Sequence, residues 1–309
     1  MKGLKFIKQK QRCWAQRHGA ELVSGTIGAD GEKNYLQDIG KNLFEPLTAE
    51  SAGFYSAGDG GETRDTGRNL AKMKAVHSSS AIVVNLFQYW QGKDVSCLLH
   101  ALKASGRPQA ATESRNMDSP SAENTAAIKF EQKFRICDDT DTFPRPANID
   151  VVIEDARCHI AIESKFTEPY RGSHGGLREA YLDSESLWTE LPNLHELAKQ
   201  ISPDNKLFRF LDAAQLIKHI LGLSANYPKQ AGALQVKFRL LYLWYDVLGE
   251  DGAGHRAEIE RFAEIAGKDN VDFRHISYQE VIAALAENIS EGNRLSDKAY
   301  VDYLTGRYL

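Results

Sequence analysis

The stretch RPANIDVVIEDARCHIAIESKF, Arg145 to Phe166, constrains the fold more than any other part of the chain. It reads as two consecutive strands joined by a polar turn. Side chains alternate across a strand, so Ile149, Val151 and Ile153 share a face, and Ile160, Ile162, Ser164 and Phe166 do the same on the next strand. The other parity groups Asp150, Val152 and Glu154 with His159, Ala161, Glu163 and Lys165. A core sheet gains nothing from unpaired charge, which is costly to bury. A two-residue turn at Asp155 and Ala156 would set Glu154 opposite Arg157 and Asp150 opposite Ala161. Glu163 then becomes the diagonal neighbour of Asp150, at roughly 7–8 Å between backbones. Glu163 and Lys165 lie roughly 7 Å apart along their strand. A slip of one residue would send the acids to opposite faces.

Two carboxylates held this close repel each other and favour a shared divalent cation. Oxygen ligands of this kind suit Mg²⁺ or Mn²⁺. A lysine beside them can orient or deprotonate an attacking water and offset charge developing on phosphorus. Together these groups are the equipment for metal-assisted phosphodiester hydrolysis.

The flanking sequence supplies the rest of an α/β core. Ser78 to Trp90 starts with serine caps and runs apolar at helical spacing. IKFEQKFRI predicts a half-buried strand, with Ile128, Phe130, Phe134 and Ile136 facing one way and Lys129, Glu131, Lys133 and Arg135 the other. Residues 103–125 read as an exposed connection, and 167–202 as a polar lid or insertion. SPDNKLFRFLDAAQLIKHILGL predicts a long amphipathic helix with Leu207, Phe210, Leu211, Ala214, Ile217 and Leu221 on one stripe. Val236 to Val247 is almost continuously apolar, as suits a strand covered on both faces. FRHISYQEVIAALAENI predicts a last strand and then a helix opened by a Ser277–Glu280 capping box.

With helix, three strands, helix and strand in this order, NIDVVIEDARCHIAIESKF resembles the PD-(D/E)XK nuclease superfamily, in a bacterial branch. The resemblance implies a restriction-endonuclease-like αβββαβ core, with a mixed central sheet flanked by helices. It also implies a single domain over 1–309, with an N-terminal extension (1–77), a core (78–247, insertion 167–202) and a C-terminal addition (248–309). By position, Asp150, Glu163 and the main-chain carbonyl of Ser164 would bind Mg²⁺ or Mn²⁺, and Lys165 would assist the water. The implied activity is endonucleolytic cleavage of DNA; the alternatives are an inactive nucleic-acid-binding or interaction scaffold and a nuclease acting on RNA. The chain departs from the family pattern in two ways. No proline directly precedes Asp150, and the helix at Ser78 to Trp90 carries no acid, which leaves Glu131 and Glu62 as substitutes. Gln215 is a further candidate, because some relatives place a glutamine near the site.

Composition limits the partners. With 38 basic and 42 acidic residues, the net charge is −4, so a nucleic-acid surface has to be a local patch. Lys218 and His219 on the later helix are candidates for it, as are Lys8, Lys10 and Arg12 in an acid-free basic segment at residues 2–17. The bland reading of that segment is a solvated helix face. The clustered Asp138, Asp139 and Asp141 lack the glycine and distal glutamate of a calcium loop and read as a solvated turn. Four well-separated cysteines, no secretory signal and no long apolar run lead us to expect a cytoplasmic protein with no membrane span. Cutting both strands of a duplex takes two sites, so a homodimer is also an expectation.

Overall fold

The computed structural model describes residues 2–57, 61–103, 126–154, 158–227, 237–291 and 295–309. The N-terminal part comprises α1 (Gly3–Arg17), the short β1 (Val23–Ser24) and β2 (Lys33–Tyr35), α2 (Ala49–Ser56), α3 (Ser79–Phe87) and α4 (Ser96–Ala101). The strands β3 (Ala127–Phe134), β4 (Ala147–Glu154) and β5 (Cys158–Lys165) follow, then α5 (Glu179–Asp183), α6 (Pro192–Ile201) and α7 (Ala213–Asn226). The chain continues through β6 (Lys237–Trp244), α8 (Glu250–Lys268), β7 (Phe273–Ser277), α9 (Tyr278–Glu291) and α10 (Lys298–Tyr308). The central sheet has the order β3-β4-β5-β6-β7. Its first two pairings are antiparallel and its last two parallel. This is the mixed sheet flanked by helices that the residue pattern predicts, and α3-β3-β4-β5-α7-β6 gives the αβββαβ order.

Two apolar clusters cover the two faces. Leu241 and Leu243 of β6 join one with α3, α9 and α10, while Leu240, Tyr242 and Trp244 join the other with α6, α7 and α8. The near-continuous apolar run of β6 therefore follows from burial on both sides. Ser277 and Glu280 cap α9 reciprocally, with Ser277 N donating to Glu280 Oε2 at 2.9 Å and Glu280 N to Ser277 Oγ at 3.2 Å. The excursion at 167–202 contributes Leu177, Tyr181, Trp188, Leu194 and Ile201 to the second cluster, so it is packed into the body and does not hang free as a lid.

The hairpin register differs from the expected one. Val151 pairs with Ile162, Ile153 with Ile160 and Glu154 with His159, two residues away from a register that sets Glu154 opposite Arg157. The expected turn at Asp155 and Ala156 falls outside the described residues. A shift of two preserves side-chain parity where a shift of one inverts it, so the shared face survives the error.

The strands also break their alternation. Val151 and Ile153 lie in the first cluster, but Ile149 lies in the second with Val152; on β3, Ile128 and Phe130 lie in the first while Phe134, and Ile136 just beyond the strand, pack with the second. Neither the three-residue apolar face of β4 nor the four-residue face expected around β3 is continuous, contrary to expectation. The change of side falls at Glu131, which has φ of 51°. Its place in the β3–β4 register is opposite Asp150, between the pairs Phe130–Val151 and Gln132–Ile149. A left-handed glutamate costs on the order of 1–3 kcal/mol, and here it turns both strands beside the acids.

The long amphipathic helix is shorter than its apolar spacing predicts. It begins at Ala213, with Asp212 accepting from Gln215 N at 2.9 Å as the N-cap. The preceding segment is a loop. Glu258 of α8 takes the N–H groups of Arg209, Phe210 and Leu211 at 2.8, 2.7 and 2.9 Å, and so satisfies the donors that a helix would have used. Gly222 lets α7 sit tightly on the sheet, because a Cβ there would lie 2.9 Å from Ala147 Cβ and 3.2 Å from Phe134 O. That contact brings His219 and Gln215, one and two turns earlier, over the end of β5.

Candidate active site

The acids of the opening stretch meet where β4 and β5 diverge. Beyond the last β4–β5 pair, Asp150 reaches across and its Oδ2 accepts the Ser164 N–H at 2.7 Å. Glu163 is 1% exposed and has both oxygens occupied. Oε1 takes Lys165 Nζ at 2.5 Å, and Oε2 takes His219 Nε2 at 2.8 Å. Lys165 Nζ also donates to Gln215 Oε1 at 2.8 Å. Below the lysine, the Ser164 and Tyr278 hydroxyls are 2.6 Å apart.

Asp150, Glu163, Ser164, Lys165 and Gln215 line a cavity of about 100 Å³ together with Tyr55 of α2, Ser79 and Ser80 at the N-terminus of α3, Glu131 and Glu168. Four carboxylates therefore surround one lysine. Burial, reinforced by Glu163, pushes the Asp150 carboxyl well above the usual range, and Lys165 and the Ser164 N–H offset this only in part. Burial also raises Glu131, against the hydrogen bond from Asn148. Glu163 moves the other way: burial acts to raise it, but Lys165 and His219 outweigh that and hold it down. Burial acts to lower Lys165, yet Glu163, Asp150 and Glu168 raise it above its ordinary value. The lysine is therefore a held cation, placed to orient and donate rather than to accept a proton.

Glu168 is a lining residue of the cavity that the sequence reading does not include. Its Oε2 accepts the N–H groups of Phe166 and Thr167, both at 2.9 Å, so the chain turns back at the end of β5 and carries a carboxylate to the cavity. The Glu168-Pro169 pair just past Lys165 was the available signal. Glu62 lies near the same place, with Oε2 2.5 Å from Ser80 Oγ and Oε1 3.0 Å from Lys72 Nζ, and it lines the adjoining cavity of about 570 Å³ with Glu131 and Gln215.

The candidate nucleic-acid contacts separate into two sets. Lys218 lines that larger cavity. His219 lines it too but is buried, with its Nε2 on the Glu163 carboxylate at 2.8 Å, so in this structure it serves as a partner of the acid. In α1, Lys8 and Arg12 pair with Glu32 at 2.6 and 3.1 Å. Lys10 Nζ meets the main-chain carbonyls of Tyr308 and Leu309 at 3.1 and 2.5 Å. The basic segment is thus a packed helix tied to its own neighbours, and none of its three cations lines the site cavities. Asp139 closes a turn on the N–H groups of Asp141 and Thr142, as a solvated loop should. Among the described residues, no helix is long and apolar enough to cross a membrane.

A metal fits the donor chemistry here. Excess buried carboxylate with raised proton affinity is relieved by a hard cation. Among the described residues, no group of three His, Cys, Asp or Glu side chains forms a ready-made cage. Magnesium takes one or two carboxylates and keeps its waters, so a pair such as Asp150 and Glu163 would be enough carboxylate to hold one.

The sheet order, with the Asp and Glu-X-Lys on adjacent strands, defines a restriction-endonuclease-like α/β protein. The sequence matches the family described as "Restriction Endonuclease associating with ARP" over residues 8–309, and the chain belongs to that family. No curated protein and no solved structure matches it.

Proposed function

We propose that this protein is a Mg²⁺-dependent endonuclease, with Mn²⁺ as a substitute, that hydrolyses phosphodiester bonds of DNA. The observation that carries this reading is the small cavity in which Glu131, Asp150, Glu163 and Glu168 surround the Lys165 ammonium. Asp150, Glu163 and the Ser164 carbonyl would hold the cation. When bound there, a divalent ion supplies Lewis-acid polarisation of the phosphoryl oxygen and a more acidic water.

The remaining work falls to the chain's own side chains. Lys165, held by Glu163 and Gln215, donates to the attacking water or to a phosphoryl oxygen as charge accumulates. Gln215 fixes the direction of the ammonium. His219 fixes the second Glu163 oxygen, and a ligand oriented in this way keeps its geometry. Membership of a restriction-endonuclease family supports DNA as the substrate.

The test compares wild type with Lys165→Ala on supercoiled plasmid and on single- and double-stranded RNA, with Mg²⁺, Mn²⁺ or EDTA. The expected outcome is metal-dependent nicking or linearisation by wild type and a loss of about 10²–10³-fold in the variant, the scale for removing one charge-stabilising donor. If neither protein cuts DNA while both bind it equally, the enzyme reading fails and a binding scaffold replaces it. Cleavage confined to RNA would overturn the choice of substrate.

A further inference from the structure

The larger cavity adjoins a second one of about 510 Å³, and the two share Arg145, Gln215 and Lys218. Gln215 also lines the small cavity of the acids, so one side chain borders all three spaces. In the second cavity the charged lining is Arg145, Arg178 and Lys218 against one carboxylate, Asp212. That carboxylate is already engaged, with Oδ1 accepting from Gln215 N at 2.9 Å and Oδ2 lying 3.5 Å from His174 Nδ1. Among the described residues, none of Arg145, Arg178 and Lys218 has a carboxylate within ion-pair distance; Arg178 is held by neutral partners, the Thr142 carbonyl at 3.3 Å and the Tyr181 side chain. Partial burial, then Arg178 and Arg145, lower the proton affinity of Lys218, and Asp212 offsets this only in part. Three cations that repel one another on a chain of net charge −4 are stabilised by a bound anion.

We propose that Arg145, Arg178 and Lys218 form a phosphate-binding subsite, separate from the carboxylate cavity, that grips a nucleic-acid phosphate next to the one being cut. This rests on the nuclease reading above. The position explains the choice of ligand. Two guanidiniums and an ammonium match phosphate oxygens, and Gln215 links the subsite to the lysine beside the scissile bond. A gripped neighbouring phosphate would fix strand register at the acids. The same chemistry serves an internal phosphodiester or a terminal phosphate.

The test is binding without cleavage. Fluorescence anisotropy in EDTA compares wild type, Arg145→Gln/Lys218→Gln, Arg178→Gln and the exposed control Lys199→Gln, on one duplex carrying either a 5′-phosphate or a 5′-hydroxyl. A duplex phosphate contact contributes a salt slope of about 0.9, or about eightfold in affinity at 0.1 M relative to 1 M salt. The double variant should therefore lose up to about 60-fold and roughly two units of slope, and Arg178→Gln about one unit. Equal losses on both duplexes assign an internal phosphate; loss of only the advantage of the 5′-phosphate assigns a terminal one. If wild type binds and cuts DNA but the variants bind as wild type does, the subsite falls and the nuclease reading stands. If wild type binds neither duplex, both fall together.

Discussion

Asp150 and Glu163 are both carboxylates within one cavity, yet neutralising them should change stability in opposite directions. Glu163 accepts hydrogen bonds from Lys165 at 2.5 Å and from His219 at 2.8 Å. Charge-assisted bonds contribute about 1.5–3 kcal/mol each, against about 0.5–1.5 for neutral ones. Glu163→Gln keeps the shape and loses the charge, so the difference over two bonds is about 2–3 kcal/mol of destabilisation. Asp150 has one such bond, from Ser164 N, and its ionised form is opposed by burial and by Glu163. Asp150→Asn removes that opposition and should stabilise the metal-free protein by about 0.5–2 kcal/mol, or roughly 1–5 °C in a chain of this size. The pH dependence separates the two. The Asp150 carboxyl is raised in the fold, so its penalty is absent below the unfolded value of 3.8, grows as pH rises through its folded value and is complete above it. Glu163 is lowered, so its contribution is present above 4.5 and disappears as pH falls through its folded value. The assay is urea unfolding in EDTA from pH 4 to 8, with m-values checked for two-state behaviour. Asp150→Asn should gain on wild type as pH rises, and Glu163→Gln should lose. If Asp150→Asn is destabilised as much as Glu163→Gln at pH 7, the two acids do not crowd each other and the cation-seeking site is wrong. With Mg²⁺ added, only wild type should gain stability, by mass action on the folded state.

Two further substitutions probe the scaffold. His219→Ala removes one partner of Glu163 and should cost about 1.5–3 kcal/mol in urea unfolding, while metal-free DNA affinity stays at the wild-type value, because His219 is buried against an acid; weakened binding with unchanged stability would restore it as a phosphate contact. Gly222→Val drives a branched side chain against Ala147 and the Phe134 carbonyl and should destabilise by about 1–3 kcal/mol or more, with activity lost faster than stability as α7 lifts Gln215 away from Lys165; a variant as stable and as active as wild type would show that α7 does not need the close approach.

The helix and strand order, the doubly covered β6 and the capping box of α9 were all legible, because each depends on residues within a few positions of one another. The pairing of the acids was legible for a different reason. The observed register lies two residues from the expected one, and Asp150 and Glu163 still come together because side-chain direction repeats every two residues. What was illegible depends on distant partners. Leu207, Phe210 and Leu211 have helical spacing, but their segment is held as a loop by Glu258, whose carboxylate takes three of its N–H groups from about 50 positions away. Similarly, Lys8, Lys10 and Arg12 looked free for phosphate until Glu32 and the C-terminal carbonyls occupied them.

Glu131 joins these two kinds of information. IKFEQKFRI alternates without a flaw, and nothing in it marks the fourth residue as left-handed. Its side chain is held from the neighbouring strand, with Asn148 Nδ2 donating to Glu131 Oε2 at 2.5 Å. Regular strands would have kept Ile149 beside Val151 and closed the sheet over Asp150. The turn at Glu131 moves Ile149 and Phe134 to the opposite cluster, leaving both carboxylates in one cavity near the point where β4 stops pairing with β5. Glu131→Gly would accept the same φ at no steric cost and remove only the acid, whereas Glu131→Val would oppose the conformation itself. Loss of activity in both with loss of stability only in the valine variant would assign the carboxylate a role in the site; activity retained by the glycine variant would reduce Glu131 to the residue that bends the sheet.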